Sequence, residues 1–152
     1  MAAFNKFNAF VEDVAEKVHN LGSDSLKVML TNTLPVASDT VFDTLTDLRL
    51  EPTSLALDLT TGGGYTAGGT AASITSSSQT SGTYKLVLGD VVFTATTGFG
   101  PFQYAVLYNN TAGASNARPL IGWWDYGSAV TLAALETFTW DADPTTGVLT
   151  LA

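Results

Sequence analysis

The second half of the chain consists of short segments of β-branched and aromatic residues separated by turn residues, and this pattern constrains the fold most strongly. Strands are predicted at residues 70–79, 83–88, 91–96, 102–108, 119–124, 128–132, 137–141 and 147–151, after an earlier one at 25–33. Threonine is frequent in these segments, and its branched Cβ suits a pleated surface. Many short strands at close spacing are typical of an antiparallel β-sandwich or a jelly-roll-like domain. The sequence therefore predicts a mainly β fold.

The first twenty residues follow a helical period instead. One arc of a helical projection collects the apolar side chains of this segment: Phe4, Phe7, Phe10, Val11, Val14, Ala15, Val18 and Leu21. Gly22 follows at the position where a left-handed residue commonly ends a helix. We therefore expect an N-terminal amphipathic α-helix within residues 1–24 and a single β-rich domain over residues 25–152. The apolar face of that helix has to be buried, either on its own sheet or on neighbouring subunits.

Charge and composition exclude several classes of function. The chain has 152 residues, a formal net charge of −8, no cysteine and one histidine. Without cysteine there is no disulfide framework, zinc–thiolate site or cysteine nucleophile. Only three basic residues follow Lys27, so no nucleic-acid partner is expected. The first residues lack a signal-peptide pattern, and no apolar run approaches the ~20 residues that cross a bilayer, so no membrane partner is expected either.

No residue pattern indicates catalysis or a cofactor. His19 lies on the polar side of the predicted helix and is expected to be a solvated or surface-contact side chain. A dinucleotide-binding fingerprint is partly matched by the spacing of Gly62, Gly64 and Ala67. A Ser/Thr-rich strand follows these residues, however, where the fingerprint needs a helix. A close-packed or flexible loop is expected there instead. The sequence predicts a non-enzymatic protein without catalytic, cofactor or metal-binding residues.

Four acidic residues recur at a spacing of four: Asp39, Asp43, Asp47 and Glu51. Residues 39–48 are predicted to form a short helix with Asp39 as its N-cap, which would align these carboxylates on one face. Such a stripe could meet a hard cation or a basic partner, or it could be an ordinary solvated face. The first three of these residues are candidate interface residues.

The segment around residue 124 carries the most informative aromatic group. Neighbouring strand residues point to opposite faces, so Trp123 and Trp124 cannot both enter the same core. One ring must be solvent-facing or covered, and three coverings are possible: a second layer of the same domain, another subunit, or a sugar that stacks on it. Alternation along an earlier strand predicts one shared core face for Phe102, Tyr104 and Tyr108.

Several blocks of the chain resemble a family of small virion proteins of tailed bacteriophages. The blocks that carry this resemblance are FNKFN at residues 4–8, VEDVAEKVHNLG at 11–22, YTAGG at 65–69, QTSGTYKLVL at 79–88, YAVLY at 104–108, LIGWWDYG at 120–127 and GVLTL at 147–151. None of them is a chemical signature. The resemblance implies a structural protein of the virion, and we interpret it as a capsid decoration or cement protein.

This interpretation implies contacts with the major capsid protein or other virion proteins, and assembly into the virion in the host cytoplasm. We expect a homo-oligomer, either a trimer or a dimer. The alternative is a tail-associated receptor- or glycan-binding module in which Trp123, Trp124 or Tyr126 stacks on a sugar. The candidate interface residues are Phe4, Phe7, Phe10, Val11, Val14, Asp39, Asp43, Asp47, Trp123, Trp124 and Tyr126.

Overall fold

The part of the chain that the structure describes contains twelve β-strands and one short helix. The computed structural model describes residues 3–42, 54–55, 59–112 and 118–152. Its helix, α1, spans Ala9–Ala15. The strands are β1 Asn5–Lys6, β2 Leu26–Thr31, β3 Val41–Phe42, β4 Ser54–Leu55, β5 Thr70–Ala72, β6 Ile74–Thr80, β7 Thr83–Leu88, β8 Val91–Thr94, β9 Gly98–Asn109, β10 Arg118–Ala133, β11 Thr137–Trp140 and β12 Leu149–Leu151. The prediction of a mainly β fold with an N-terminal helix is confirmed.

These strands form three sheets. The largest has the strand order β4-β3-β10-β9-β2-β5, and β1 pairs with β10 beside this path. Strands β6, β7 and β12 form a three-stranded sheet, whereas β8 and β11 form a two-stranded one. Every pair among the described strands is antiparallel except β3 with β4. The long strands β9 and β10 lie in the middle of the largest sheet and give it most of its extent.

One face of the largest sheet packs against both smaller sheets. Val28 and Leu107 of the largest sheet belong to the same buried cluster as Leu86 of β7 and Val91 of β8. Alternate residues of each strand enter this cluster because successive side chains on a strand point to opposite faces. The result is a two-layered, sandwich-like arrangement around one apolar interior, which we call the main core.

The opposite face of the largest sheet carries a smaller apolar cluster. Its buried members are Phe7, Met29, Val106, Tyr108 and Leu120, and Trp123 packs against them. Most of these side chains come from the adjacent strands β2, β9 and β10, but Phe7 comes from the segment between β1 and α1. We call this group the second cluster. It buries the outer face of the sheet where the N-terminal segment crosses it.

A β-bulge in β10 determines which aromatic ring points to which side. The pairing of β10 with β9 shifts register between Leu120 and Gly122. A bulge inserts one extra residue, so the strict alternation of side chains is interrupted there. Leu120 and Trp123 therefore both belong to the second cluster, whereas Trp124 belongs to the main core.

The predicted common face for the aromatic residues of β9 is wrong. Phe102 lies in the main core and Tyr108 in the second cluster, although both are buried, as is Tyr104. A second register shift of the β9–β10 pair lies between Asp125 and Val130, next to the strand partner of Phe102. Because the pairing is irregular there, the alternation of side chains between the two faces of the sheet is not maintained from one end of β9 to the other.

The N-terminal segment contains less helix than predicted. The helix α1 has seven residues, and β1 precedes it as an extended segment paired with β10. Phe4 and Phe10 pack with the main core, whereas Phe7 enters the second cluster. The segment follows an edge of the largest sheet, so it can send side chains around both faces of that sheet. The prediction of one continuous helical face over residues 4–21 is therefore wrong.

Strand β3 replaces part of the helix predicted at residues 39–48. Val41–Phe42 pair with Arg118–Pro119 of β10, so the backbone is extended where the helix was expected to begin. Asp39 lies just before this strand and caps no helix there. Residues 43–48 lie outside the described residues.

The glycine-rich loop at residues 62–69 is close-packed. Tyr65 is buried in it, and its hydroxyl accepts a hydrogen bond from the N–H of Leu30 at 3.1 Å. Gly64 has φ +106°, and a Cβ there would clash with the backbone carbonyl of Thr94. The glycines thus let the loop pack against neighbouring backbone, which is the close-packed alternative of the sequence prediction.

Candidate functional site

The chain's own N-terminal segment covers both adjacent tryptophans. The ring centroid of Phe4 lies 5.3 Å from that of Trp124, and the centroid of Phe7 lies 4.5 Å from that of Trp123. Trp124 is only 4% exposed, and Trp123 is half-buried. Of the three coverings that the sequence leaves open, a layer supplied by the same domain is the one present in this structure.

Gly122 allows the N-terminal segment to lie so close to β10. A Cβ at Gly122 would clash with the ring of Phe4 and would lie 2.7 Å from the carbonyl oxygen of Asn5. A side chain here would therefore push the segment away from the sheet edge. We call the arrangement of Phe4 and Phe7 on either side of the edge at Gly122 the N-terminal clamp.

The candidate interface residues of the N-terminal segment differ in how much surface they offer. Phe7 and Phe10 are fully buried inside the chain, and Phe4 and Val14 are half-buried against the main core. Val11 is 54% exposed. Within this segment, Val11 is therefore the predicted interface residue whose apolar surface is open to a partner.

Two further exposed apolar residues lie in the loop that adjoins the start of α1. The N–H of Asn8 donates to the carbonyl of Ala37 at 2.8 Å, which holds this loop beside the helix. The loop carries Leu34 and Val36, both of which are exposed. We refer to these two residues and Val11, which lie on the loop and the helix that this hydrogen bond joins, as the N-terminal apolar patch.

Asp39 is not part of an exposed acidic stripe. Its side chain accepts a hydrogen bond from the N–H of Val36 at 2.9 Å, and the residue is 6% exposed. Burial raises the pKa of Asp39, although the hydrogen bond from Val36 opposes that shift. The carboxylate therefore holds a turn together instead of facing a partner. Asp43 and Asp47, with Glu51, lie outside the described residues.

The outer faces of the two smaller sheets carry hydroxyl groups and little charge. Strand register identifies the side chains that point away from the main core. One set lies on β8 and β11, and a second set lies on β6, β7 and β12. These outward residues are Val92, Thr94, Thr137 and Thr139 on the two-stranded sheet, and Ser76, Ser78, Thr80, Thr83, Lys85, Thr150 and the buried Val87 on the three-stranded one. We call them the hydroxyl faces. They bear one charged side chain, Lys85, in a protein whose net charge is −8.

An aromatic recess opens where β9, β10 and β11 meet. It has a volume of about 180 Å³. Six of its ten lining residues are aromatic: Phe102, Tyr104, Trp124, Tyr126, Phe138 and Trp140. The rings of Trp124 and Trp140 meet edge to face at 4.9 Å, and those of Tyr126 and Phe138 do so at 5.6 Å. Tyr126 is 60% exposed, so it forms the open rim of the recess.

Polar groups accompany these rings. The indole N–H of Trp140 is buried and has no hydrogen-bond partner among the described residues. Gln103 and Asp141 also line the recess, and the amide of Gln103 donates to Asp125 at 2.9 Å. Trp124 and Tyr126 were predicted from the sequence as candidate interface residues, whereas Trp140 was not. Residues of separate strands form the recess, and no local sequence signal indicates that they come together.

His19 is buried, which corrects the prediction of a solvated side chain. Its Nδ1 lies 3.1 Å from Nδ2 of Asn109, whose amide also donates to Asp24 at 2.6 Å. An amide NH₂ only donates, so Nδ1 is the acceptor and the neutral ring carries its proton on Nε2. Burial lowers the pKa of His19 to about 4, although the charge of Asp24 opposes the shift. His19 therefore links the N-terminal segment to the end of β9 as a neutral group.

The described part of the chain contains no group of three or more metal-binding side chains. Within the same residues, no helix has the length and apolar character needed to span a membrane. Comparisons with protein-family models, curated proteins and solved structures find no match to this chain.

Proposed function

We propose that the chain is a non-enzymatic structural protein of a bacteriophage virion, and that it decorates or cements the capsid through protein–protein contacts. The observation that carries this proposal is the pair of hydroxyl faces. They present broad strand surfaces with many hydroxyl groups and a single charged side chain. Such surfaces can lie flat against another protein without the cost of desolvating many charges.

The N-terminal apolar patch adds a second contact surface. Val11, Leu34 and Val36 are large apolar residues that remain exposed in the isolated chain. Covering them with a neighbouring capsid or decoration subunit would contribute ~25 cal/mol for each Å² of apolar surface buried. Single contacts of this kind are weak, but repetition over a lattice turns them into strong overall attachment.

The acidity of the chain agrees with this role. A net charge of −8 disfavours adhesion to packaged nucleic acid, which is also negatively charged. It also steers the protein towards basic regions of a partner surface. In this proposal the net charge contributes to partner selection, and the uncharged surfaces provide the attachment.

The experiment compares virions that carry the chain with virions from which its gene has been deleted. Loss of the chain should leave assembled heads that release DNA at a lower temperature. The double variant Thr94→Glu with Ser78→Glu should bind such heads at least ~10-fold more weakly, because each glutamate adds a charge that the interface must desolvate. Ala134→Glu, in an exposed loop, is the matched control and should bind as the unaltered chain does.

Two results would contradict the proposal. One is a deletion virion of unchanged composition, because the chain would then not be a virion component. The other is equal binding by the double variant and by Ala134→Glu, because the hydroxyl faces would then take no part in attachment.

A further inference from the structure

We propose that the aromatic recess binds the terminal hexopyranose residue of a neutral glycan. This goes beyond the structural role proposed above, since a decoration protein needs no ligand in this recess. The proposal depends on the rings that line the recess, on a buried donor without a partner, and on the charges at its rim.

The rings provide apolar surface of the kind that a sugar can stack on. Trp124 and Trp140 form the inner wall, and the exposed ring of Tyr126 stands at the rim. A pyranose has apolar C–H faces that pack on aromatic rings, whereas its hydroxyl groups need polar partners at the edge of the site. A recess of about 180 Å³ is well below the size of a pocket for a drug-sized molecule, and it suits a single sugar ring.

The second observation is the indole N–H of Trp140. Trp140 is 4% exposed and its Nε1 is buried without a hydrogen-bond partner in the described residues. Leaving a buried donor unpaired costs free energy, so most such groups in proteins have a partner. This N–H has no accessible surface in the free chain, so a ring or hydroxyl oxygen of a bound sugar would supply the missing acceptor after the Trp140 ring turns towards the recess. A quaternary ammonium group would fit among the rings but has no atom that can accept this hydrogen bond.

The charges near the recess favour a neutral sugar over an anionic one. Asp141 lines the recess, and Asp125 adjoins it through its hydrogen bond with Gln103. Carboxylates accept hydrogen bonds from sugar hydroxyl groups but repel the carboxylate of a sialic or uronic acid. The amide of Gln103 provides both a donor and an acceptor. The predicted ligand is therefore uncharged and rich in hydroxyl groups.

The test is a titration followed through the indole N–H signals in two-dimensional ¹H–¹⁵N NMR spectra. The chain has three tryptophans, and Trp140→Phe identifies the Trp140 signal by removing it. Methyl glycosides of glucose, galactose, mannose and N-acetylglucosamine are added in turn, with N-acetylneuraminic acid as the anionic comparison. At least one neutral glycoside should shift the Trp140 signal saturably, with a Kd on the order of 1 mM.

Variants separate a ligand site from a merely structural group. Trp140→Phe keeps an aromatic ring but removes the donor, so it should weaken binding about 5- to 10-fold, measured on the remaining backbone signals of the recess. Tyr126→Ala should weaken it about 5-fold through the lost ring contact. Leu135→Ala changes an exposed residue of the turn between β10 and β11, outside the recess, and should leave sugar affinity unchanged.

Several results would overturn the proposal. These are the absence of a saturable shift with any neutral glycoside, equal affinity for N-acetylneuraminic acid, and sugar binding that Trp140→Phe and Tyr126→Ala do not alter. A proline-rich peptide that saturates the Trp140 signal where sugars do not would also overturn it. Attachment to the virion depends on other surfaces, so failure here would leave the capsid proposal standing, and the reverse also holds.

Discussion

Trp124 stands between two aromatic groups that are built differently. On one side the N-terminal clamp closes over it, and Phe4 lies against its ring while Phe7 covers Trp123 on the other face of the sheet. On the other side lies the aromatic recess, with the exposed ring of Tyr126 and the indole N–H of Trp140, which has no partner among the described residues. The clamp is made of packed apolar rings, whereas the recess has an exposed ring at its rim and a buried donor without a partner among the described residues. Aromatic residues thus serve packing on one side and, in our proposal, ligand binding on the other.

The largest difference between the two regions is expected on truncation of one aromatic ring in each. Phe7 is fully buried, so Phe7→Ala should lower the free energy of unfolding by ~3–5 kcal/mol. Tyr126→Ala, at the exposed rim, should change it by less than ~1 kcal/mol. Urea unfolding followed by tryptophan fluorescence measures both. Similar losses for the two variants would remove the distinction between clamp and recess.

A smaller effect is expected where the clamp crosses the sheet edge. Gly122→Ala places a Cβ against Phe4 and Asn5 and should cost ~1–3 kcal/mol, because the N-terminal segment has to move. Gly82→Ala is a useful comparison, since open space surrounds that glycine and only its positive φ opposes the change. Hydrogen exchange of the β1 and β10 amides should rise in Gly122→Ala alone. Unchanged protection of these amides would show that the segment does not depend on Gly122.

Acid should lower the free energy of unfolding through the buried His19, which joins the N-terminal segment to the end of β9. His19 has a pKa of about 4 in the folded protein and about 6.5 when unfolded, so the unfolded chain binds its proton first. The stability that neutral His19 provides is complete above pH 6.5 and is lost as the pH falls towards 4, by ~1–2 kcal/mol. The raised pKa of the half-buried Asp13 and of Asp39 acts in the opposite direction.

Comparison with His19→Gln isolates the contribution of the histidine. Glutamine can still accept the hydrogen bond from Asn109 but does not titrate. The difference in unfolding free energy between the two proteins should therefore change between pH 7 and pH 4. A constant difference over that range would mean that His19 titrates alike in the folded and unfolded chains.

The smallest effect is expected at the recess itself. Trp140→Phe removes a buried donor that has no partner in the described part of the chain, together with part of a buried ring, and these changes oppose each other. The free energy of unfolding should change by less than ~1 kcal/mol. Thermal unfolding in the absence of sugar provides the measurement. A loss of several kcal/mol would identify Trp140 as a packing residue like Phe7.

The strand pattern was predictable because alternation and turn residues are local signals. The segments predicted at 83–88, 91–96 and 137–141 correspond closely to β7, β8 and β11. The helix was overestimated because the threefold spacing of the phenylalanines also suits a segment that sends its side chains alternately around a sheet edge. No local rule distinguishes these two arrangements until the strand that offers the edge is known.

The candidate site was less accessible to sequence reasoning than the fold. The alternation of side chains along a strand correctly predicted that Trp123 and Trp124 face opposite sides of the sheet. It could not show that Phe7 covers the first ring and Phe4 the second. The recess depends on β11 lying beside β9 and β10, and the unpaired state of Trp140 depends on its burial. Both are properties of tertiary packing and have no counterpart in residue spacing.

The most direct test of the central claim, that this chain works through surface contacts on a phage head, is high-resolution electron cryomicroscopy of intact virions that carry it. We expect density for the chain on the capsid lattice, with the hydroxyl faces or the N-terminal apolar patch against neighbouring subunits and the N-terminal clamp closed within the chain. Density confined to the tail, or no density for the chain anywhere on the particle, would contradict it.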